Sequence, residues 1–350
     1  MGALLANPRS NAEATARVTN TKTKATTALY NKEFSASFYE ERYAQGYMDE
    51  WPHHKKQRVY EVIRQLPLPE QGQALDFGCG NGVFTEVIRQ ALPKWQVFGT
   101  DLSKTAVRSA KERYPHCHFF EPEDKNDLPK HFDFLFSHHV IEHVYDVSEV
   151  LQQMNEHLKP RASMLHILPC GNPGSLSHTI CSLRKDGIDA SCGNRFFFED
   201  EGHVRRLTTQ ELSSECKALE FGLVREFYSG SYHDAIEWIT SNNLSFIRIL
   251  TDSNQAIHSD AKRQLDKIRK KLLTLGVFRA PARNLPKLRA KHKPTFSQYV
   301  LMALLLPLYP ASKLFENHLI RAARKEWLAQ KHESRGGEMS LYLERPAGNQ

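Results

Sequence analysis

The sequence predicts an α/β fold: a seven-stranded, mostly parallel sheet with helices on both faces and a helical insertion before the last strand. Three observations carry that expectation. Ala74-Leu75-Asp76-Phe77 is an apolar run suited to a buried parallel strand, and it leads straight into glycines at alternate positions, Gly78, Gly80 and Gly82. Behind that turn Val83, Val87, Ile88 and Leu92 repeat at helical spacing. Short apolar stretches then alternate with helix-period stretches, the pattern of a sheet built from strand–helix–strand units.

In chain order, residues 1–28 are rich in Ala, Thr and Asn, lack an apolar period and are expected to form a disordered tail. Residues 29–70 interleave aromatic and charged side chains (Phe34, Phe38, Tyr39, Tyr43, Tyr47, Trp51), then place Val59, Val62, Ile63 and Leu66 on a helix. The core is expected over 71–230. Gln96 to Asp101 reads as a second strand ending in an acid, and Ser103 caps a helix from Lys104 to about Arg113, with Pro115 behind it. Cys117 to Phe120 and Phe132 to Phe136 are the third and fourth strands. Val150, Leu151, Met154 and Leu158 share one helix face, and Pro160 is expected to stop that helix. Ser163 to Leu168 is the fifth strand, 169–174 a turn cluster, and 175–205 reads as irregular. Thr208 with Glu211 makes a capping box, and Phe221 to Tyr228 is the sixth strand. The seventh is Glu338 to Glu344, with alternating apolar residues, in a closing segment 338–346. Residues 231–337 are then an insertion, expected to be helical over about Asp234–Ile249, His258–Leu275, Tyr299–Leu306 and Ala311–Gln330.

Length and charge set limits. The 350 residues fit one α/β domain with a large insertion. The formal charge is +7, but 18 Lys+Arg against 4 Asp+Glu fall between Ala261 and Arg335, so the positive charge is concentrated there. The six cysteines show no paired metal-ligand spacing, which suits a reduced, cytoplasmic chain. The opening residues are too short and too weakly apolar for a secretory signal.

The acid at position 76 narrows the chemistry. A dinucleotide fold brings a pyrophosphate to this turn, and a carboxylate two residues before the first glycine would repel it. The same carboxylate favours a cationic ligand such as S-adenosyl-L-methionine, which carries an ammonium and a sulfonium. Asp101, about 20 residues past the turn, can take both ribose hydroxyls. With these residues the sequence resembles the class I S-adenosylmethionine-dependent methyltransferases, in particular the group related to ubiquinone-biosynthesis O-methyltransferases. Five motifs occur in that family's order: Asp76 to Gly82, Thr100-Asp101-Leu102-Ser103, Asp124 to Pro129, Phe132 to Ser137, and Val140 to Val144. The resemblance implies a Rossmann-like class I methyltransferase fold, with Asp76, Gly78, Gly80 and Gly82 at the methionyl end of the cofactor and Asp101 and Leu102 at the ribose. It also implies Asp124 and Lys125 at the adenine edge, Ser137 beside the donor, and 29–70 as a lid with Tyr43 over the cofactor. Glu121 or Asp127 are alternatives for the adenine-edge acid. A segment like His203-Val204-Arg205-Arg206 helps wall the acceptor pocket in that group.

Methyl transfer to a hydroxyl needs the acceptor proton removed, and a histidine suits that role. His143 and His139, just past the fourth strand, are the leading candidates, with His138 and His203 behind them. His139, Glu142 and His143 fall at i, i+3 and i+4, one side of a helical turn if the segment is helical, so a divalent metal is an alternative, though not the favoured one. The related methyltransferases carry Glu where this chain has His139. The inverted zinc-protease motif that His-x-x-Glu-His also resembles does not fit its place after this strand.

The basic insertion admits three readings: an ordinary packed helix, peripheral contact with an anionic membrane at its inner face, or, less favoured, a nucleic-acid surface. Its apolar run, Tyr299 to Tyr309, is too short to span a bilayer. The expected activity is O-methylation of a small, sugar- or lipid-linked metabolite. The alternatives are an RNA methyltransferase using the insertion and a non-catalytic cofactor-binding scaffold.

Overall fold

Parallel pairing of five short strands builds the first half of the sheet: β1 (Gln73–Phe77), β2 (Gln96–Thr100), β3 (His118–Phe120), β4 (Phe132–His138) and β5 (Leu158–Pro169). The computed structural model describes residues 32–48, 50–121, 129, 131–200, 202–290 and 294–346. The expected tail 1–28 lies outside them. Two further strands, β6 (Gly222–Ser229) and β7 (Glu338–Glu344), complete a seven-stranded sheet in the order β3-β2-β1-β4-β5-β7-β6, with β7 antiparallel to both neighbours. The chain winds outward from β1 to β3, then returns to the other side of β1 as β4. That reversal makes the crevice beyond the C-terminal ends of β1 and β4 the ligand-binding position of such a sheet.

Helices α1 (Lys32–Ala44), α2 (His53–Ile63), α3 (Val83–Ala91), α4 (Lys104–Arg113), α5 (Val147–Glu156), α6 (Leu176–Ser182) and α7 (Thr209–Lys217) accompany the strands. One apolar cluster packs α2, α3 and α4 on one sheet face through Val62, Ile88, Val107 and Phe134. The opposite face buries Leu75, Leu135, Leu151, Met154 and Leu212 under α5 and α7. A third cluster, with Ile180, Ile236, Leu250, Leu265 and Leu319, belongs mainly to helices α8 (His233–Ser241), α9 (Leu244–Leu250), α10 (Ser259–Arg289) and α12 (Tyr309–Gln330); α11 (Phe296–Leu305) lies outside it. All five lie between β6 and β7, where the insertion is expected.

Several local expectations need correction. α5 ends at Glu156, so Pro160 does not stop it; Leu158 and Pro160 already belong to β5, where Leu158 pairs with Phe132. The helix expected over Asp234–Ile249 is two, because Asn243 leaves the helical region and caps α9 by accepting from the Phe246 N–H. α10 does not stop at Leu275 but runs through Pro281 and Pro286 to Arg289. Tertiary contacts override the prolines: Ala282 and Leu285 are buried, and the Ala282 N–H donates to Ser312 Oγ at 2.9 Å. The irregular stretch 175–205 contains α6 and a two-residue ladder, Ile188–Asp189 with Arg195–Phe196.

Candidate active site

At the end of β1 the backbone turns through Gly78 and Gly80 with φ of +80° and +50°. A Cβ on Gly78 would sit 2.4 Å from Val140, and one on Gly80 2.6 Å from Tyr43 Oη, so only glycine serves at either position. Gly82 then opens α3 as its N-cap. Beneath the turn Asp76 is 1% exposed and accepts from Thr85 Oγ1 at 2.6 Å. Burial lifts its carboxyl to about 7, with the Asp101 charge adding to the rise against the Thr85 bond. Asp101 Oδ2 accepts from the Gly80 N–H and Oδ1 from the Ser103 N–H, both at 2.9 Å, so it ties the end of β2 to the glycine turn. Burial pushes its carboxyl up as well. Asp76, fully buried, and Asp101, half-buried, suit a ligand that brings a positive charge to the turn.

The segment before the core closes over this cradle. Tyr43, on α1, lies against Gly80, and Tyr47 O accepts from Asn81 Nδ2 at 3.2 Å. Glu40 accepts from the hydroxyls of Ser103 and Thr105, each at 2.6 Å, which fastens α1 to the start of α4. Arg42 donates to both oxygens of Asp200, at 2.8 and 2.6 Å.

The other end of the crevice is built after β4. His139 is held at φ +55°, an uncommon conformation for a non-glycine residue, while its N–H donates to Ile167 O at 2.8 Å. Its Nδ1 lies 2.6 Å from Glu142 Oε1 and its Nε2 3.2 Å from Glu338 Oε2. Burial alone would lower the imidazole, but the two carboxylates outweigh it and raise it to about 9. His139 is therefore an imidazolium clamped between two carboxylates that it holds well below their usual range. With both nitrogens committed it is not placed to remove a proton, which corrects its expected role as a base.

His143 is the opposite case. Burial lowers its imidazole to about 4, only partly opposed by Glu142, so the ring is neutral at pH 7. Nδ1 lies 2.6 Å from Tyr39 Oη and 3.0 Å from Gly202 O. With the hydrogen on Nδ1, donated to Gly202 O, Nε2 carries the lone pair; with Tyr39 Oη donating to Nδ1, the hydrogen lies on Nε2. Nε2 is 4.0 Å from Glu142 Oε1.

The remaining candidates divide. Leu102 is 41% exposed beside Asp101. Ser137 turns its hydroxyl to His166 Nδ1 at 2.7 Å inside the sheet, so its side chain does not face the cradle and only its main chain remains for a ligand. His138 stacks on Phe84 with ring centroids 3.9 Å apart and meets Trp51 edge-on, a packing role. Asp124 and Lys125 lie outside the described residues, as does Asp127. Glu338 and Tyr39 join the site without a signal in the sequence: Glu338 reads only as the start of a strand, and nothing in its neighbours ties it to a histidine 199 positions earlier.

The helical metal geometry expected for His139, Glu142 and His143 is absent. Only Ile141–His143 is helical, as a single 3₁₀ turn, and His139 bonds Glu142 directly. A different set fits an ion better: Glu142, His143 and His203 each offer a ligand atom within 4.8 Å of the others. Glu142 Oε2 and His203 Nδ1 are buried without a hydrogen-bond partner, so this set has donors to spare where His139 has none.

Comparison with known proteins gives one family match: a methyltransferase domain over residues 48–226. Trans-aconitate 2-methyltransferase of Variovorax paradoxus is 29% identical over 107 residues, covering 29% of this chain and 39% of that protein. The enzyme of the same name from Deinococcus radiodurans is 28% identical over 132 residues, covering 37% of this chain and 50% of that protein. The chain thus spans half or less of the length of these relatives. The narrower ubiquinone-biosynthesis grouping does not follow from these matches. Among solved structures, mitomycin 7-O-methyltransferase superposes with a TM-score of 0.45 at 13% identity, covering 62% of this chain and 63% of that one. A methyltransferase from Archaeoglobus fulgidus does so with 0.43 at 14% identity, covering 90% and 100%.

Proposed function

We propose, from the premise that this chain belongs to the methyltransferase-domain family, that it transfers a methyl group from S-adenosylmethionine to an oxygen of a small, sugar- or lipid-linked acceptor. One observation carries the cofactor: Asp76 is buried beneath the glycine turn and Asp101 accepts from its Gly80 N–H, so two acids flank one cradle. Bound there, S-adenosylmethionine supplies a methyl group already activated by its sulfonium. Asp76 would balance the positive methionyl end, Asp101 would accept from the ribose hydroxyls, and Tyr43 would shut the cradle against water. Leu102, and Asp124 with Lys125, belong to the adenosine end of this reading.

Positioning dominates such a displacement, and the protein's own chemistry is confined to the acceptor proton. His143 would take it on Nε2 in the tautomer whose Nδ1–H donates to Gly202 O, with the new positive charge facing Glu142. His139 acts at one remove: by compensating Glu142 and Glu338 it keeps both charged and in place. The test uses S-adenosylmethionine labelled in the methyl group, incubated with the protein and fractionated extract, followed by the purified acceptor. Label should enter a hydroxyl-bearing small molecule or lipid. His143→Gln should slow transfer by about 10²–10⁴-fold with calorimetric cofactor affinity unchanged. An acceptor carboxylate, as the trans-aconitate relatives suggest by name, needs no proton removed. Transfer at the original rate in His143→Gln would overturn the hydroxyl reading in its favour, and label entering no fraction would overturn both.

A further inference from the structure

The insertion carries a surface that methyl transfer does not use. α11 has no buried residue, and Phe296, Tyr299 and Leu304 are 85, 55 and 64% exposed. Phe296, Tyr299, Val300, Ala303 and Leu304 follow i, i+3, i+4, i+7 and i+8 and form an exposed apolar stripe, with exposed Ser297 and Leu301 at its edge. Gln298, Met302 and Leu305, on the other side, are the half-buried ones. Leu306, Leu308 and Leu314 extend the exposed apolar surface into α12. An unpartnered apolar surface of this extent on a chain with an ample core of its own marks a docking site.

Charge says what docks. From Lys267 to Phe315 there are 49 residues without one Asp or Glu and with 11 Lys or Arg, and the 19 residues from Pro294 to Ser312 carry no charge at all. Among the described residues, Lys287 and Arg289 stand before the apolar helix, and Lys313, paired with Glu316, stands after it. A second copy of the chain docking face to face would bring the same cationic flanks together. A bilayer with anionic headgroups meets both features: the stripe enters the acyl boundary and the flanks meet the phosphates. No helix among the described residues is long and apolar enough to cross a membrane, so the helix would lie in the interface. We infer that α11 and its basic flanks seat this protein on an anionic phospholipid surface, with α11 lying parallel to it.

The experiment is flotation of the whole protein with vesicles of phosphatidylcholine, alone or mixed with phosphatidylglycerol. Protein should float with the mixed vesicles at low salt, stay behind with phosphatidylcholine alone, and be released as salt rises. Val300→Glu with Leu304→Glu should reduce flotation at least ~10-fold while leaving Tm unchanged, because both side chains are exposed. Phe296→Trp supplies a second readout, a blue shift of its emission on the mixed vesicles only. Failure to float with mixed vesicles, or equal flotation of the double variant, overturns the inference. So does a dimer by light scattering that the double variant splits.

Discussion

Two pairs of carboxylates, one at the glycine turn and one gathered around His139, titrate in opposite directions. Asp76 and Asp101, at the glycine turn, are pushed up by burial. Glu142 and Glu338, after β4 and at the start of β7, are held well below their usual range, although burial acts on them too. What separates the pairs is one resident cation: His139 lies between the glutamates, and no such group lies between the aspartates. The protein neutralises the histidine end by itself, whereas the aspartate end is suited to neutralisation by a bound cation.

Removing the cation should abolish the contrast most forcefully. His139→Ala strands two carboxylates, and urea unfolding at pH 7 should show a loss of about 3–5 kcal/mol, the cost of breaking a buried ion pair from one side. The same clamp has a pH signature. His139 is raised from 6.5 to about 9 in the folded state, so its stabilising effect is complete below 6.5 and disappears as pH rises through about 9. Stability of the original protein should fall across that window.

The aspartate end should respond chiefly in binding. Asp101→Ala should weaken S-adenosylmethionine by about one to two orders of magnitude, on the order of 1.5–3 kcal/mol for lost charge-assisted hydrogen bonds. Unchanged calorimetric affinity would remove Asp101 from the cofactor site. A smaller effect sharpens the comparison further. A cationic ligand competes with the proton on Asp76, so affinity should rise up to ~10-fold per pH unit below about 7 and level off above it. In Asp76→Asn that slope should vanish.

The two ends also differ in how far they could be read from sequence. The glycine turn, Asp76 and Asp101 lie close along the chain, and the Gly80 N–H donates to the Asp101 carboxylate. Likewise α4 spans Lys104–Arg113 as expected, because Ser103 supplies a cap that local sequence displays. β7 was legible from its alternation. The acceptor end was not, because its geometry is set by distant partners. His139, Glu142 and His143 have helical spacing, but the turn is bent by a left-handed His139 whose ring is drawn to Glu338. α10 passes its prolines for the same reason: Arg279, buried inside it, bonds Glu237 Oε1 at 2.5 Å and Glu316 Oε1 at 3.1 Å on other helices.

The position of Glu338 also bears on the order in which the molecule assembles. Its strand slots between β5 and β6, so the sheet is not continuous until five intervening helices have been set aside. Contacts of such long sequence separation are costly to close early, whereas β1, β2 and the turn between them need only a short loop. During refolding the glycine turn should gain protection before the histidine clamp exists. Pulse-labelled hydrogen exchange would show Thr100 and Gly80 amides shielded ahead of those of β7, and simultaneous protection would remove this ordering.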